Sequence, residues 1–308
     1  MQCLSPIQIK NESPKALRLY GPRMTVPCGR CPACIDNKRK SWLVRLKQER
    51  KHSFNAYFVT LTYSDTTLPR NSLGFPTFKI KDVQDFIKRL RKELFVIQKD
   101  CPYPLHLRYF LIGEYGSKRG RPHYHAIFFN IPPNVDLYRL IFNKWKYGRI
   151  SVSPLCDAQV GYCANYMYGK CEQIPDEYID ETNRLPVLTS RKPGIGAQYL
   201  TREAIDWHLK GLRSYYQEGD IRFPLPRYYK DKIFVGFIEK AKLYKQNYAR
   251  ILERELEEHF EDSAYVDSGG DINTRPSQMK KREYIRRFYQ RVKKHSEQNL
   301  NSYQDEYI

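Results

Sequence analysis

Alternating and helical spacings of apolar residues divide the first half of the chain into a readable series of elements. Asn55 to Tyr63 (Asn-Ala-Tyr-Phe-Val-Thr-Leu-Thr-Tyr) is dense in β-branched and aromatic residues, which pack well on a pleated surface, and predicts a first strand. A loop with Pro69, Gly74 and Pro76 follows. Val83, Phe86, Ile87, Leu90, Leu94 and Ile97 then recur three and four residues apart, with Lys88, Arg89, Arg91 and Lys92 opposite, predicting a helix that Asp82 caps and that lies on a sheet. Leu107 to Tyr115 and His123 to Asn130 predict two strands, and the basic turn Gly116 to Pro122 joins them as a hairpin. Asn134 to Tyr147, with Leu137, Leu140, Ile141 and Trp145, predicts a second amphipathic helix, and Arg149 to Ser153 a fourth strand. The order βαββαβ is that of a split, ferredoxin-like unit: an α+β fold with a four-stranded antiparallel sheet in which the 123–130 strand is central.

Outside this unit the pattern is less informative. Asp36 to Glu49 predicts a basic helix, and a further helix capped by Asp157 follows the fourth strand. Phe223-Pro224-Leu225-Pro226-Arg227-Tyr228-Tyr229-Lys230 is a rigid aromatic and basic element, and Lys230 to Phe260 predicts a long supporting helix. Asp262 to Ser277 is polar, contains Gly269-Gly270 and is expected to be disordered, and Lys280 to Lys294 predicts a basic helix suited either to phosphate contacts or to plain solvation. The expected division is 1–50 (Cys-rich element and basic helix), 51–172 (core), 173–260 (supporting, mostly helical) and 261–308 (linker and basic terminal helix).

Charge selects a partner class. The 308 residues carry a net charge of +19 and a pI near 9.5, so a polyanion is the natural partner, and 25 Tyr offer flat surfaces on which unpaired bases can stack. The start Met1-Gln2-Cys3-Leu4-Ser5-Pro6 lacks the regions of a signal peptide, and no apolar run approaches the ~20 residues of a membrane span. The expectation is a protein that works where it is made, without a membrane.

Eight cysteines in such a chain argue against a disulfide framework. Cys28-Gly29-Arg30-Cys31-Pro32-Ala33-Cys34 sets three thiols at a spacing that lets them converge on one ion, and Cys3 is the obvious fourth ligand. Four thiolates leave no open position, so the expected ion is a structural Zn²⁺ holding the N-terminus against the basic helix. Three small thiols without a metal, or an iron–sulfur cluster, are the alternatives. Cys101, Cys156, Cys163 and Cys171 show no ligand spacing and read as packing residues.

His123-Tyr124-His125 puts two imidazoles on one face of the central strand. The motif alone is weak, since chance supplies a His-x-His in about one in six chains with this many histidines. A hairpin turning between Lys118 and Arg119 pairs positions that sum to 237, which sets Glu114 opposite His123. A carboxylate and two imidazoles with open positions suit Mg²⁺ or Mn²⁺ in phosphate chemistry, the imidazoles favouring Mn²⁺. The competing reading is two core histidines bonded to neighbours beside a surface Glu. Tyr162 and Tyr166, four residues apart, share a helix face just after the core sheet, and Lys170 extends that face by one turn, where its charge can hold a phosphate or favour phenolate. The pairs Tyr244/Tyr248 and Tyr303/Tyr307 lie in basic C-terminal sequence and read as surface or packing tyrosines.

Phe58-Val59-Thr60-Leu61-Thr62-Tyr63, Gly120-Arg121-Pro122-His123-Tyr124-His125 and Tyr162-Cys163-Ala164-Asn165-Tyr166 resemble, in order, the three motifs of the HUH (His-hydrophobic-His) endonucleases that initiate rolling-circle replication. Cys3 and the Val26 to Cys34 block, with Trp42 and Arg45 after it, are similar to the replication initiators of microviruses, particularly the gokushovirus group, as is Arg191-Lys192-Pro193-Gly194-Ile195-Gly196 further on. Relatives often carry Lys just before the second tyrosine, where this chain has Asn165, which leaves Lys170 as the candidate for the basic role. The resemblance implies an enzyme that nicks and rejoins single-stranded origin DNA in the cytoplasm of a host bacterium. It implies a metal on His123, His125 and Glu114, a 5′-phosphotyrosine on Tyr162 or Tyr166, and a 3′-OH that primes the host replication machinery. Two other readings compete. A non-catalytic, zinc-containing nucleic-acid-binding protein explains the charge and the cysteines but not the histidines and tyrosines, and a relaxase or transposase shares the chemistry but cuts different DNA.

Overall fold

The computed structural model describes residues 3, 5–14, 17, 22–99, 106–116, 120–169 and 185–236. The chain divides into two compact units, one of Lys38–Asp206 and Tyr215–Tyr229, the other of Met1–Asn37, Trp207–Ser214 and Lys230–Ile308.

The larger unit is α+β around a five-stranded antiparallel sheet. Its strands are β3 (Ala56–Thr62), β4 (Arg108–Tyr115), β5 (Pro122–Phe129), β6 (Ile150–Pro154) and β7 (Val187–Thr189), in the order β6-β3-β5-β4-β7. The first four positions in that order are those of a ferredoxin-like βαββαβ unit, and β5 lies in the middle of the sheet. β7 is an addition to the expected four strands. Three residues long and half exposed, it carries too little alternation to be read from sequence, and it pairs with β4 only through contacts some 75 residues apart, Phe110↔Thr189 to Ile112↔Val187.

Period-two alternation sorts side chains onto two faces. Val59, Leu61, Tyr124, Ala126 and Phe128 meet α2 (Ile80–Ile97) and α3 (Leu137–Lys144) through Val83, Phe86, Leu90, Leu94, Leu140 and Ile141. Phe110, Ile112, Ile127 and Phe129 face the other way, towards Leu46 and Trp42 of α1 (Pro32–Lys51) and Val160 and Cys163 of α4 (Asp157–Gly169). Burying large side chains such as Phe86 and Phe128 contributes about 1.5–3 kcal/mol each.

Two expected caps are different residues from those read in the sequence. Asp82 lies inside the first turn of α2 behind Lys79, and its carboxylate is buried, accepting from the Tyr63 hydroxyl at 3.3 Å. Asp157 is the first residue of α4 and pairs with Arg50 at 2.5 Å, while Gln159 accepts from the Cys156 amide at 2.9 Å. A surface or buried partner outcompetes the local capping bond in each case. α3 is capped as helix rules predict, by Asp136 accepting from the Arg139 amide at 3.0 Å.

A buried ion pair ties α1 to β4 and to the segment after β7. Both guanidinium edges of Arg108 reach Glu49, which is fully buried, and Arg108 also donates to the carbonyls of Pro193 and Gly194 at 3.0 Å. Glu49 accepts the Gly196 amide at 2.6 Å. Gly196 sits at φ 76°, where a side chain would strike Tyr229 Oη at 2.5 Å and the Arg45 carbonyl at 2.6 Å, so only glycine fits there.

The other unit contains the hairpin β1 (Ile7–Lys10) and β2 (Arg23–Val26), paired from Ile7↔Val26 to Lys10↔Arg23. In it His208 is fully buried, with Nδ1 2.7 Å from the Arg213 carbonyl. α5 (Arg202–Gly211), the hairpin β8 (Tyr215–Glu218) and β9 (Ile221–Pro224), and α6 (Arg227–Ile233) complete the described elements. The helix expected from Lys230 to Phe260 is, among the described residues, only the end of α6, which stops at Ile233. The expected disordered stretch 262–277, the basic helix 280–294 and the tyrosine pairs at 244/248 and 303/307 lie outside the described residues. So do Cys101, Cys171 and Lys170.

Candidate active site

The site is built by strand register on the sheet face that carries α1 and α4. β4 and β5 pair with Glu114 opposite His123 and Ile112 opposite His125, so the carboxylate and both imidazoles stand on one face. Oε2 of Glu114 lies 3.0 Å from Nε2 of His125 and 3.9 Å from Nε2 of His123. The donor atoms of the three residues all lie within 4.8 Å of one another. Glu114 and His125 are each 7 % exposed.

The chemistry of this donor set fits a divalent cation. Nε2 of His125 is buried and makes no hydrogen bond, although a carboxylate oxygen stands 3.0 Å away, so its lone pair is aimed between the ligands. Nδ1 of His123 is 3.0 Å from the Arg121 carbonyl, which can only accept, so this nitrogen carries the ring proton and Nε2 is left as a ligand. Burial lowers the His123 pKa, with the neighbouring His125 adding to it and Glu114 opposing, so the metal-binding neutral form is favoured. One oxygen and two imidazole nitrogens suit Mn²⁺ or Mg²⁺.

α4 brings a nucleophile to the same place. The Tyr162 hydroxyl donates to Oε2 of Glu114, and its ring meets His125 edge-on, centroids 5.3 Å apart. Tyr166 is one turn further along α4. Asn165, just before it, accepts from Nη1 of Arg39 at 3.2 Å. This Arg39 contact pairs two residues 126 positions apart and has no signature in the sequence.

Two residues of the site's wall were missed in the sequence although they lie in a quoted motif. Phe58 and Thr60 are two apart on β3, hence on one face, and Thr60 pairs with His125 in the sheet. Phe58 stacks on the His125 ring (5.3 Å, 14°), and Oγ1 of Thr60 is 3.1 Å from its Nδ1. The signal that would have found them is the β3–β5 register.

Cys3, Cys28, Cys31 and Cys34 form a second cluster, in the smaller unit, with all four sulfurs within 4.8 Å. Cys3 and Cys31 sulfurs are 3.8 Å apart, far beyond the ~2.05 Å of a disulfide and equal to the edge of about 3.8 Å of a tetrahedron with ~2.3 Å metal–sulfur bonds. The Cys28 sulfur accepts from the amides of Arg30 (3.4 Å) and Cys31 (3.3 Å), and these bonds lower its pKa. The turn that permits this has Gly29 at φ 76°. Burial pushes the Cys34 thiol up to about 12. Of the remaining cysteines, Cys163 is a core residue, whereas Cys156, expected to pack, is exposed at the start of α4.

Comparison with known proteins gives consistent matches. Residues 56–170 match the family model of the replication-associated protein ORF2, a span that begins at β3 and ends after the tyrosine helix. The replication-associated protein ORF2 of Spiroplasma virus 4 is 28% identical over 286 residues, covering 84% of each chain. The replication-associated protein ORF4 of Chlamydia phage 1 is 26% identical over 75% of this chain and 59% of its own length. The replication-associated protein VP4 of Bdellovibrio phage phiMH2K is 28% identical over 67% of this chain and 66% of its own. No solved structure matches. By the family model over its core and these relatives over most of its length, the chain belongs with the replication-associated proteins of microviruses.

Proposed function

We propose that this protein initiates rolling-circle replication of a single-stranded DNA phage by nicking and rejoining origin DNA through a 5′-phosphotyrosine. The observation that carries the reading is the Tyr162 hydroxyl bonded to Glu114, the carboxylate set between two histidines. Glu114, His123 and His125 would hold a Mg²⁺ or Mn²⁺ ion that polarises a non-bridging oxygen of the scissile phosphate when bound. The phenol oxygen attacks phosphorus, its proton leaving along the hydrogen bond to Glu114 Oε2. The bond from phosphorus to the 3′ oxygen breaks, and that oxygen takes up a proton to become a free 3′-OH. The phosphodiester energy stays in the tyrosyl link, so rejoining requires no ATP, and the 3′-OH can prime the host polymerase.

Tyr166, one turn along the same helix, would cleave the regenerated origin after one round, and the released 3′-OH would attack the first linkage and close a circle. In this reading Lys170 adds a positive charge at the end of that face. The net charge of +19 attracts the DNA backbone, in a salt-dependent way, and the Cys3/Cys28/Cys31/Cys34 cluster holds a structural Zn²⁺. The place of action would be the cytoplasm of the host bacterium, and among the described residues no helix is long and apolar enough to cross a membrane.

The test incubates the protein with Mn²⁺ and single-stranded oligonucleotides tiling the genome that encodes it, and looks for a covalent complex on a denaturing gel. Wild-type protein forms the adduct and Tyr162→Phe combined with Tyr166→Phe does not. DNA binding without an adduct would instead favour a non-catalytic nucleic-acid-binding protein, and an adduct in the double variant would overturn the tyrosine assignment. Sequencing the 5′ end of the adduct separates an origin from the site of a relaxase or transposase.

A further inference from the structure

The two site histidines are held by chemically different partners. Nδ1 of His123 faces a peptide carbonyl, which fixes its tautomer. Nδ1 of His125 faces Oγ1 of Thr60 at 3.1 Å, a hydroxyl that can either donate or accept. For Nε2 of His125 to act as a ligand, the ring proton must sit on Nδ1 and Thr60 must accept it.

The placement of Thr60 is over-determined by the sheet. It is the direct partner of His125 between β3 and β5, and branching at Cβ restricts its χ1, so the hydroxyl is presented to the ring with little freedom. Phe58, on the same face of β3, lies nearly parallel to the imidazole and blocks its rotation. His125 is 7 % exposed, so no bulk water substitutes for a lost partner on Nδ1.

We infer that Thr60 is a positioning residue, whose hydroxyl holds the His125 ring in the orientation and tautomer that deliver Nε2 to a divalent cation shared with Glu114 and His123. The inference rests on the metal-site reading above. Partners that bond the far nitrogen of a metal-binding histidine typically govern metal affinity by about 10–100-fold.

Valine matches threonine in shape and strand preference and lacks only the hydroxyl, so Thr60→Val isolates the bond. Mn²⁺ titration followed by the electron paramagnetic resonance of free Mn²⁺ is expected to show affinity lowered about 10–100-fold in Thr60→Val and restored to within a few-fold of wild type in Thr60→Ser. His125→Ala is the reference. If it binds Mn²⁺ as wild type does, the metal-site reading itself fails. If it loses binding while Thr60→Val binds as tightly as Thr60→Ser, the Thr60 assignment is overturned and the metal site stands. A second readout needs no variant: ¹⁵N NMR of the wild-type protein with Mg²⁺ is expected to show His125 protonated at Nδ1, and a proton at Nε2 would overturn the inference.

Discussion

The hydroxyl of Tyr162 donates to the same Glu114 oxygen that stands 3.0 Å from Nε2 of His125, so a nucleophile from a helix and ligands from two strands converge on one atom. Removing either partner should therefore separate attack from metal binding. Tyr162→Phe is expected to bind Mn²⁺ within a few-fold of wild type and to lower single-turnover cleavage at its own site by about three orders of magnitude or more. Rapid-quench assays with a cleavable oligonucleotide check this, and cleavage within tenfold of wild type would assign first attack to Tyr166.

Glu114→Gln keeps the size of the side chain and removes its charge. Mn²⁺ affinity is expected to fall by about 100-fold or more, with the unfolding midpoint nearly unchanged because a buried carboxylate has been replaced by a neutral group. Calorimetric titration beside thermal unfolding measures both, and unaltered affinity would remove Glu114 from the ligand set.

The sulfur cluster predicts about one zinc per chain by elemental analysis. Cys28→Ser or Cys34→Ser is expected to lose that zinc, and a chelator to lower the unfolding midpoint of wild type, because a structural site couples binding to folding. Iron in its place, with visible absorbance, would identify a cluster of another kind.

Arg108→Met strands the fully buried Glu49 with the Gly196 amide as one of its remaining partners. Loss of one side of such a pair costs about 3–5 kcal/mol, measurable by urea denaturation. A loss below about 1 kcal/mol would mean that water or a neighbouring cation reaches Glu49 in the variant.

Acid should weaken the smaller unit through His208. Burial holds its pKa below 6.5, against the Arg213 carbonyl bond and with help from the Arg213 charge, so the unfolded chain binds a proton more readily than the folded one. Its contribution to stability is full above pH 6.5 and declines as pH falls from 6.5 towards the depressed folded value. The unfolding midpoint is expected to drop between about pH 7.5 and about pH 5.5, and to drop less in His208→Asn, which cannot be protonated. Equal drops would place the acid sensitivity elsewhere.

Local rules explain which parts were legible. The hairpin register that faces Glu114 with His123 follows from counting outward from a short turn, because a two-residue period leaves no freedom once the turn is placed. Tyr162 and Tyr166 share a helix because Val160, Cys163 and Ala164 supply its buried side. Asp82 and Asp157 were misread as caps for the opposite reason: each found a partner, Tyr63 or Arg50, far away in sequence.

Composition and periodicity by themselves determined the βαββαβ order, the central His-x-His strand, the basic character and the two groups of candidate ligands. Contacts between distant segments decided the rest: the added edge strand β7, the Glu49–Arg108 lock on residues 193–196, the arrival of Tyr162 at Glu114, and the pairing of Thr60 with His125. These depend on which non-neighbouring strands and helices pack together. Each such pairing is settled by burial and closure over the whole fold and leaves no periodic trace in the chain.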